Sequence, residues 1–236
     1  YSGNGNNFTP YNFSVAAGQG NDSVSDSPTN NFCTINPLAG RGGYYLTPAN
    51  GNLDFTITPS TTYPKPVSTF NIPTSGKWYS EWVFTTVGSG VVGVGNVNTA
   101  ETAGAATQAN GINYLYIGEI RINDGYTQTS LTAIGANDIV GIKVDRDAGT
   151  VAFTINGSAA GNAENISSMN TPHDLVFWAY RNSGGGTDPV GFVNFGQRPF
   201  SNLPTGYKGL CSANLADPTI KKPNQHFNTL LYTGND

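Results

Sequence analysis

The stretch DIVGIKVDRDAGTVAFTING, residues 138–157, decides the fold class of this chain. In it, two runs that alternate apolar with other side chains, residues 139–144 and 151–155, flank the polar segment DRDAG. Alternation with a period of two is typical of a half-buried β-strand, and Asp and Gly are residues that tight turns favour. The two runs are therefore predicted to pair as an antiparallel hairpin.

The acidic cluster in this hairpin allows a second interpretation. Asp145, Asp147 and Gly149 are spaced as at the start of a calcium-binding loop, in which alternate residues supply oxygen ligands. A complete loop also needs a third ligand and a later bidentate Glu, whereas here the chain continues into the apolar run TVAFTI. The turn is therefore the favoured interpretation, and no metal ligand and no cofactor are predicted.

The central part of the chain contains further runs that are typical of β-strands. Short runs of β-branched and aromatic residues, such as KWYSEWVF, VVGVGNV and INYLYIGEIRIN, are separated by Gly, Pro or Asn-Asp turns. Only 11% of the residues are charged and 30 are Gly, a composition that disfavours helical bundles. The prediction is an all-β fold, an antiparallel β-sandwich over residues 51–200. The best helical candidate, residues 99–109, has no apolar stripe and is at most a short surface turn.

The two ends of the chain differ from this central part. Residues 1–50 are rich in Asn, Gly, Ser and Pro, and are predicted to form an extended N-terminal arm held by a few aromatic anchors. Four prolines between positions 199 and 223 exclude central strands. Residues 201–236 are therefore predicted to be an irregular C-terminal tail, or a linker to a further module.

Cys33 and Cys211 leave the question of a disulfide open. A bridge would close a long loop and stabilise the fold, whereas assembly inside a cell would leave two reduced thiols. The first residue is Tyr1 and the only Met is Met169. The sequence therefore predicts that the chain is processed or is part of a longer protein.

The charge balance bears on the possible partners. The formal net charge is -4 and the isoelectric point is near 5.0, and Lys and Arg form no cluster. This predicts no nucleic-acid partner. No run approaches the ~20 consecutive apolar residues that a membrane-spanning helix needs, so no membrane insertion is predicted.

Catalytic patterns are weak in this sequence. The histidines, His173 and His226, lie in polar segments near prolines, and no Gly-x-Ser-x-Gly elbow is present. Glycoside hydrolysis would need two carboxylates facing each other across a groove, for which Glu81 and Glu119 are the candidates. The alternative is that both glutamates pair with Arg121, Lys77 or backbone donors. Because neither glutamate belongs to a Glu-x-Asp-x-x-Glu motif, the chain is not predicted to be an enzyme.

Three polar loops are the candidate recognition sites. They are NDGYTQ at 123–128, RNSGGGTDP at 181–189 and AGRGGYY at 39–45, which combine flat aromatic surface with adaptable hydrogen-bonding groups. Loops on a rigid scaffold commonly carry function, although all three could also be ordinary hairpin loops. The candidate ligand-binding residues are Tyr44, Tyr45, Asn123, Asp124, Tyr126, Arg181, Asn182 and Asp188.

The chain resembles the SPRY domain, a bent β-sandwich of the concanavalin A-like jelly-roll type, over roughly residues 52–200. The resemblance lies in the order and spacing of five motifs: GKWYSEWVF, GVVGVGN, DIVGIKVDRDAGTVAFTINGS, DLVFWAYRN and VGFVNFGQRPF. It implies a non-catalytic binding module that uses loops at one rim of the sandwich.

The flanking sequences are similar to those of SPRY-containing virion proteins of tailed bacteriophages. The similarity is in SVAAGQGNDSVSDSPTNNFCTINPL before the domain and NFGQRPFSNLPTGYKGLCSANLADPTIKKPNQHFNTLLYTGN after it. It implies an appendage or tail-fibre protein on the virion exterior that binds a host-surface glycan or protein. It also implies contacts with other virion proteins and a homo-oligomer, commonly a trimer. The alternatives are a structural capsid or tail decoration subunit, a glycan-cleaving enzyme, and a cellular surface adhesin or filament subunit.

Overall fold

The computed structural model of the chain describes residues 26–27, 29–38, 46–58, 65–98, 111–123, 125–182 and 187–217. Over these ranges the strands are β1 Leu46–Ala49, β2 Asp54–Ile57, β3 Lys77–Thr86, β4 Gly90–Asn96, β5 Gly111–Leu115, β6 Glu119–Ile122, β7 Gly125–Gln128, β8 Ile139–Asp145, β9 Thr150–Ile155, β10 Ser158–Ala159, β11 Glu164–Asn165, β12 Leu175–Arg181 and β13 Val190–Asn194. Two short 3-10 helices span Ile166–Ser168 and Ser212–Asn214. No helix in these ranges has the length and apolar character that crossing a membrane requires.

The strands form two antiparallel sheets. The eight-stranded sheet has the order β1-β2-β13-β3-β8-β9-β10, and its remaining strand, β11, pairs with β9. The five-stranded sheet has the order β12-β4-β5-β6-β7. The predicted all-β antiparallel sandwich is thereby confirmed. The helical candidate at residues 99–109 lies outside the described residues.

The core lies between the two sheets and is built from alternating side chains. On β3, Trp82 and Phe84 belong to the main core cluster, so Glu81, which directly precedes Trp82, lies on the outer face of the eight-stranded sheet. Tyr114 of β5 meets Phe153 of β9 with ring centroids 5.4 Å apart, which joins one sheet to the other. Burying a large apolar side chain contributes about 1.5–3 kcal/mol each, so these aromatic residues hold the sandwich together.

The predicted hairpin of residues 138–157 is confirmed. Strands β8 and β9 pair in antiparallel register, with Val140 opposite Ile155 and Asp145 opposite Thr150. Val140 is fully buried and Ile155 almost so, and both belong to the core. The apolar positions of the two runs therefore face the five-stranded sheet, as the alternation requires.

The turn of this hairpin is closed by its own carboxylate. Oδ1 of Asp145 accepts the backbone N–H groups of Asp147 at 3.1 Å and of Ala148 at 2.9 Å. Gly149 has a φ of +69°, a left-handed conformation that costs glycine little. Asp145 and Gly149 of the segment DRDAG therefore stabilise the turn that joins β8 to β9.

The carboxylates of Asp145 and Asp147 also bind the first residue of β3 and the residue before it. Nζ of Lys77 lies 2.9 Å from Oδ2 of Asp145, and Oδ1 of Asp147 accepts the N–H of Gly76 at 2.8 Å. The backbone N–H of Ala148 and the Lys77 ammonium hold the pKa of Asp145 below its usual range. Among the described residues, no three His, Cys, Asp or Glu side chains converge as a metal site would require.

The described parts of the predicted arm and tail pair with each other and pack onto the sandwich. Phe32 pairs antiparallel with Cys211, and the N–H of Cys33 donates to the carbonyl of Leu210 at 2.9 Å. Leu210 is fully buried in the main core cluster. Residues that precede and follow the sandwich in sequence thus complete its core together.

Cys33 and Cys211 are buried free thiols. Because Phe32 lies opposite Cys211 and side chains alternate along an extended segment, Cys33 points to the other face of this pairing. Burial raises the pKa of the Cys33 thiol to about 11. The sequence left open whether Cys33 and Cys211 form a disulfide, and in the structure they do not.

Candidate functional site

One row of residues crosses the outer face of the five-stranded sheet. The register places Trp178 opposite Gly93, Gly93 opposite Asn113, Asn113 opposite Arg121, and Arg121 opposite Tyr126. Directly opposed residues share a face of the sheet, and their neighbours along β12, β4, β5 and β6 belong to the core, so this row faces outward. At a strand spacing of about 4.8 Å, the row is roughly 19 Å long.

The β12 half of the row is buried. Trp178 and Asn113 have no exposed surface, and Nε1 of Trp178 donates to Oδ1 of Asn113 at 2.7 Å. A Cβ at Gly95 would lie only 2.0 Å from the indole ring, so the glycine makes room for Trp178. Nζ of Lys65 lies 4.6 Å from the centroid of the same ring, and burial lowers the pKa of this lysine to about 8.

The β7 end of the row reaches solvent at Tyr126. This side chain is 66% exposed, and Cζ of Arg121 lies 4.0 Å from its ring centroid. Nε and Nη2 of Arg121 donate to Oε2 of Glu119 at 3.1 and 2.7 Å. The guanidinium is thus held by a carboxylate and supports the tyrosine ring from one side, which leaves the rest of the ring open.

The turn between β6 and β7 is anchored by Asn123. Its Nδ2 donates to the carbonyl of Ser168 at 2.7 Å, and its Oδ1 accepts the N–H of Asn170 at 3.1 Å. Its φ of 49° is left-handed, a conformation that Asn tolerates better than most residues. Asn123 was predicted as a ligand-binding residue, and the structure shows its amide engaged in positioning the strand that carries Tyr126.

The second predicted loop is tied together by an ion pair. Nη1 of Arg181 lies 3.0 Å from Oδ1 of Asp188, with 12% of the arginine side chain and 35% of the aspartate side chain exposed. The backbone N–H of Asn182 donates to the carbonyl of Ser89 at 2.8 Å, and Oγ of Ser89 donates to the carbonyl of Asn182 at 3.0 Å. These polar groups therefore hold the described ends of the loop together, beside the residue that precedes β4.

The two predicted loops whose ends the structure describes do not converge on one site. Arg181 pairs with Gly90 at the first residue of β4, whereas the turn at Asn123 follows β6 at the level of Val94, near the end of β4. The two loops therefore lie at opposite ends of the five-stranded sheet. The predicted residues Tyr44, Tyr45 and Asp124 lie outside the described residues.

Glu81 and Glu119 do not form the facing pair that a glycoside hydrolase would use. Glu81 is 4% exposed on the outer face of the eight-stranded sheet, where its carboxylate accepts the backbone N–H groups of Ser201 and Asn202. Glu119 lies on the outer face of the five-stranded sheet beside Arg121. Both sheets separate the two carboxylates, and the alternative roles as partners of backbone donors and of Arg121 are confirmed.

Sequence reasoning missed Trp178 and Asn113 of the outer row, and also Lys65, which lies over the Trp178 ring. The alternating glycines of VGVG could have indicated that an aromatic ring packs on this strand. Glycines two residues apart leave one face of a strand without side chains, and a ring can cover that face. The partner ring and the lysine come from distant parts of the chain, so only the register of the sheet brings them together.

The structure is similar in fold to SPRY domains. The SPRY domain of human HERC1 superposes with a TM-score of 0.54 at 16% identity, over 67% of this chain and 96% of that one. Stonustoxin matches with a TM-score of 0.49 at 18% identity, over 69% of this chain and 27% of that one. No known family model and no curated protein sequence matches the chain. The resemblance to the SPRY sandwich is therefore confirmed for the fold.

Proposed function

We propose that this chain is a non-catalytic binding module of a tailed-phage virion, carried on an exterior appendage such as a tail fibre, and that it binds a host-surface glycan through Tyr126. The exposed Tyr126 ring supported by Arg121 is the observation that carries the binding proposal. The virion context rests on the resemblance of the flanking sequences to those of phage particle proteins.

The geometry at Tyr126 suits a saccharide. A tyrosine ring offers a flat apolar surface for the C–H face of a sugar, and it loses little conformational entropy on binding. Arg121 is already fixed by Glu119, and its Nη1 is not used in that contact, so its remaining N–H groups are available to sugar hydroxyls without further ordering.

A site of one ring and one guanidinium gives weak binding by itself. Several copies in one oligomer, each presenting its own Tyr126, would raise the apparent affinity by 10²–10⁴-fold through effective concentration alone. The proposal therefore includes a homo-oligomer, a trimer being the common form in phage appendages, and contacts with other virion proteins through the flanks.

The binding proposal is tested with the purified protein on an array of bacterial surface polysaccharides. Tyr126→Ala is expected to lower binding at least tenfold, whereas Tyr126→Phe, which keeps the ring, stays within about threefold of wild type. Ile117→Ala is the matched control, because Ile117 is 44% exposed in the turn that precedes β6, at the end of that strand away from the turn that leads to Tyr126. Undiminished binding by Tyr126→Ala would refute the role of this residue.

The virion context is tested by imaging. Gold-labelled antibodies against the chain are expected to decorate an appendage on the exterior of the phage particle. Labelling of bacterial cell surfaces in uninfected cultures would instead support a cellular adhesin, and labelling over the whole capsid shell would support a decoration subunit.

A further inference from the structure

A groove of about 300 Å³ lies on the outer face of the eight-stranded sheet, on the side of the sandwich away from Tyr126. Strands β3, β8 and β13 form its floor, and residues 198–201 form one wall. This volume is at the small end of the range for ligand sites and fits one residue-sized group.

The floor of the groove is apolar. It consists of Val83, Ile139 and Phe192, one from each of the three strands. Val83 is 6% exposed, while the other two are partly open to solvent. Apolar surface of this kind gains about 25 cal/mol per Å² when a partner covers it, which favours an aliphatic group as occupant.

Most of the polar groups around the groove are already hydrogen-bonded. Both carboxylate oxygens of Glu81 accept backbone N–H groups of the wall. Nδ2 of Asn194 donates to the carbonyls of Arg198 and Pro199, and its Oδ1 accepts the N–H of Gly196. A sugar, which carries several hydroxyls that need partners, would find few of them here.

The guanidinium of Arg198 is the main free donor at the groove. Its side chain makes no hydrogen bond and no ion pair within the described part of the chain, so its N–H groups are available to an acceptor. The charge of Asp54 acts on Arg198, and Glu81 lines the same groove, so these two carboxylates disfavour an anionic ligand. A neutral acceptor, such as a peptide carbonyl, fits this charge balance.

We infer that this groove is a peptide-binding site, in which a partner protein inserts one aliphatic side chain onto Val83, Ile139 and Phe192 and offers a main-chain carbonyl to Arg198. The sandwich would then have two faces of different chemistry, a saccharide face at Tyr126 and a protein-anchoring face at the groove. The groove would bind the module to a neighbouring protein and leave the face that carries Tyr126 free for a saccharide.

The test is an NMR titration of the isotope-labelled protein with three probes. These are N-acetyl-leucine-N-methylamide, N-acetyl-leucine as the free acid, and N-acetylglucosamine. The neutral leucine amide is expected to shift the methyl signals of Val83 and Ile139 with a Kd in the millimolar range, which is normal for so few atoms, and to bind at least threefold more tightly than the acid.

Two variants locate the effect. Arg198→Met is expected to weaken binding of the amide at least threefold, and Ser201→Leu, which fills the groove from its own wall, at least tenfold. Arg146→Met and Thr205→Leu are the matched controls, since both residues lie outside the groove, and both are expected to bind as wild type. Tighter binding of the acid or of the sugar, no binding of any probe, or unchanged binding by Ser201→Leu would overturn the inference.

Discussion

The backbone N–H of Asn202 donates to Oε1 of Glu81 at 2.7 Å, across 121 positions of sequence. Ser201 donates to Oε2 of the same carboxylate at 3.0 Å. Next to this contact the ring of Phe200 packs on Tyr79, with centroids 5.1 Å apart. A buried carboxylate on β3 therefore fixes the chain after β13 onto the outer face of the eight-stranded sheet, where that chain forms the wall of the groove.

Glu81→Gln is expected to lower the free energy of unfolding by about 2–4 kcal/mol. The amide keeps one acceptor oxygen but turns an NH₂ group toward a backbone N–H, so one charge-assisted hydrogen bond is lost and two donors oppose each other. Urea denaturation measures the change. Glu119→Gln, which affects an ion pair on the other face, is the control and is expected to cost about 1 kcal/mol or less. Equal stability of the two variants would contradict the role of Glu81.

Gly95→Ala is expected to destabilise the fold by at least about 3 kcal/mol, because its Cβ would overlap the Trp178 ring and no backbone shift can relieve this within a paired strand. Thermal melting followed by near-UV circular dichroism measures the loss. Gly125→Ala, whose Cβ would meet only the Ile122 carbonyl at 3.3 Å, is the control for the residue type. Trp178→Leu combined with Gly95→Ala is expected to recover part of the loss, and a fully additive double variant would show that the ring is not the cause.

Lys65→Met is expected to change how stability depends on pH. Burial lowers the pKa of Lys65 to about 8, against about 10.4 for an exposed lysine. Between these two values the unfolded chain binds more protons than the folded one, so wild-type stability receives a contribution that rises with pH, by up to about 3 kcal/mol. In Lys65→Met this contribution is absent, and the stability difference between the two proteins shifts in favour of wild type from pH 7 to pH 10.

Urea denaturation of both proteins at pH 7 and pH 10 measures this shift. Burial raises the pKa of Cys33 to about 11 and that of Tyr114 to about 12, which lowers stability as the pH rises toward those values. Both groups are present in both proteins, so they cancel in the difference. A difference that stays constant with pH would show that Lys65 is not desolvated in the folded protein.

Asp145→Ala is expected to cost about 1–2 kcal/mol, because the N–H groups of Asp147 and Ala148 and the Lys77 ammonium lose their acceptor. The lowered pKa of Asp145 means that its contribution is present above the unfolded value near 4 and is lost as the pH falls through the folded value. The variant should therefore approach wild type in stability as the pH falls below the folded pKa of Asp145, as acid denaturation curves would show.

Calcium is expected to leave the melting temperature of the wild-type protein unchanged. Three of the four carboxylate oxygens of Asp145 and Asp147 already accept backbone or lysine N–H groups. Differential scanning fluorimetry with added calcium and with a chelator measures this. A chelator that lowered the melting temperature would restore the calcium-loop interpretation of this segment.

The fold class and one candidate binding residue, Tyr126, could be predicted from local sequence. The hairpin at β8 and β9 was predictable because alternation and turn residues act within twenty positions of sequence. Tyr126 was predictable as a candidate because a Tyr in an Asn-Asp-Gly turn is bound to lie near the surface. Its support by Arg121 depends on a bulge in the pairing of β6 with β7, which no single strand encodes.

The groove and the buried lysine could not be predicted in the same way. Arg198 meets Val83 and Ile139 only after β13 has inserted between β2 and β3, a pairing set by the global topology. Lys65 looked like any surface lysine, because nothing in its neighbours along the chain shows that Trp178 lies beneath it. Long-range register, rather than local preference, creates both sites.

The pairing of Phe32 with Cys211 determines how the domain responds to mechanical load. Because the pairing is antiparallel, the chain before Phe32 and the chain after Cys211 leave it at the same end. Tension applied through these two segments would therefore break the hydrogen bonds between them one after another rather than all at once. The contacts of Ala213 with Asn30 and of Ser212 with Asn31 would open first, and that between Cys33 and Leu210 next. Because Cys33 and Leu210 are both fully buried in the main core cluster, separation of the two flanking segments would also open the core between the sheets.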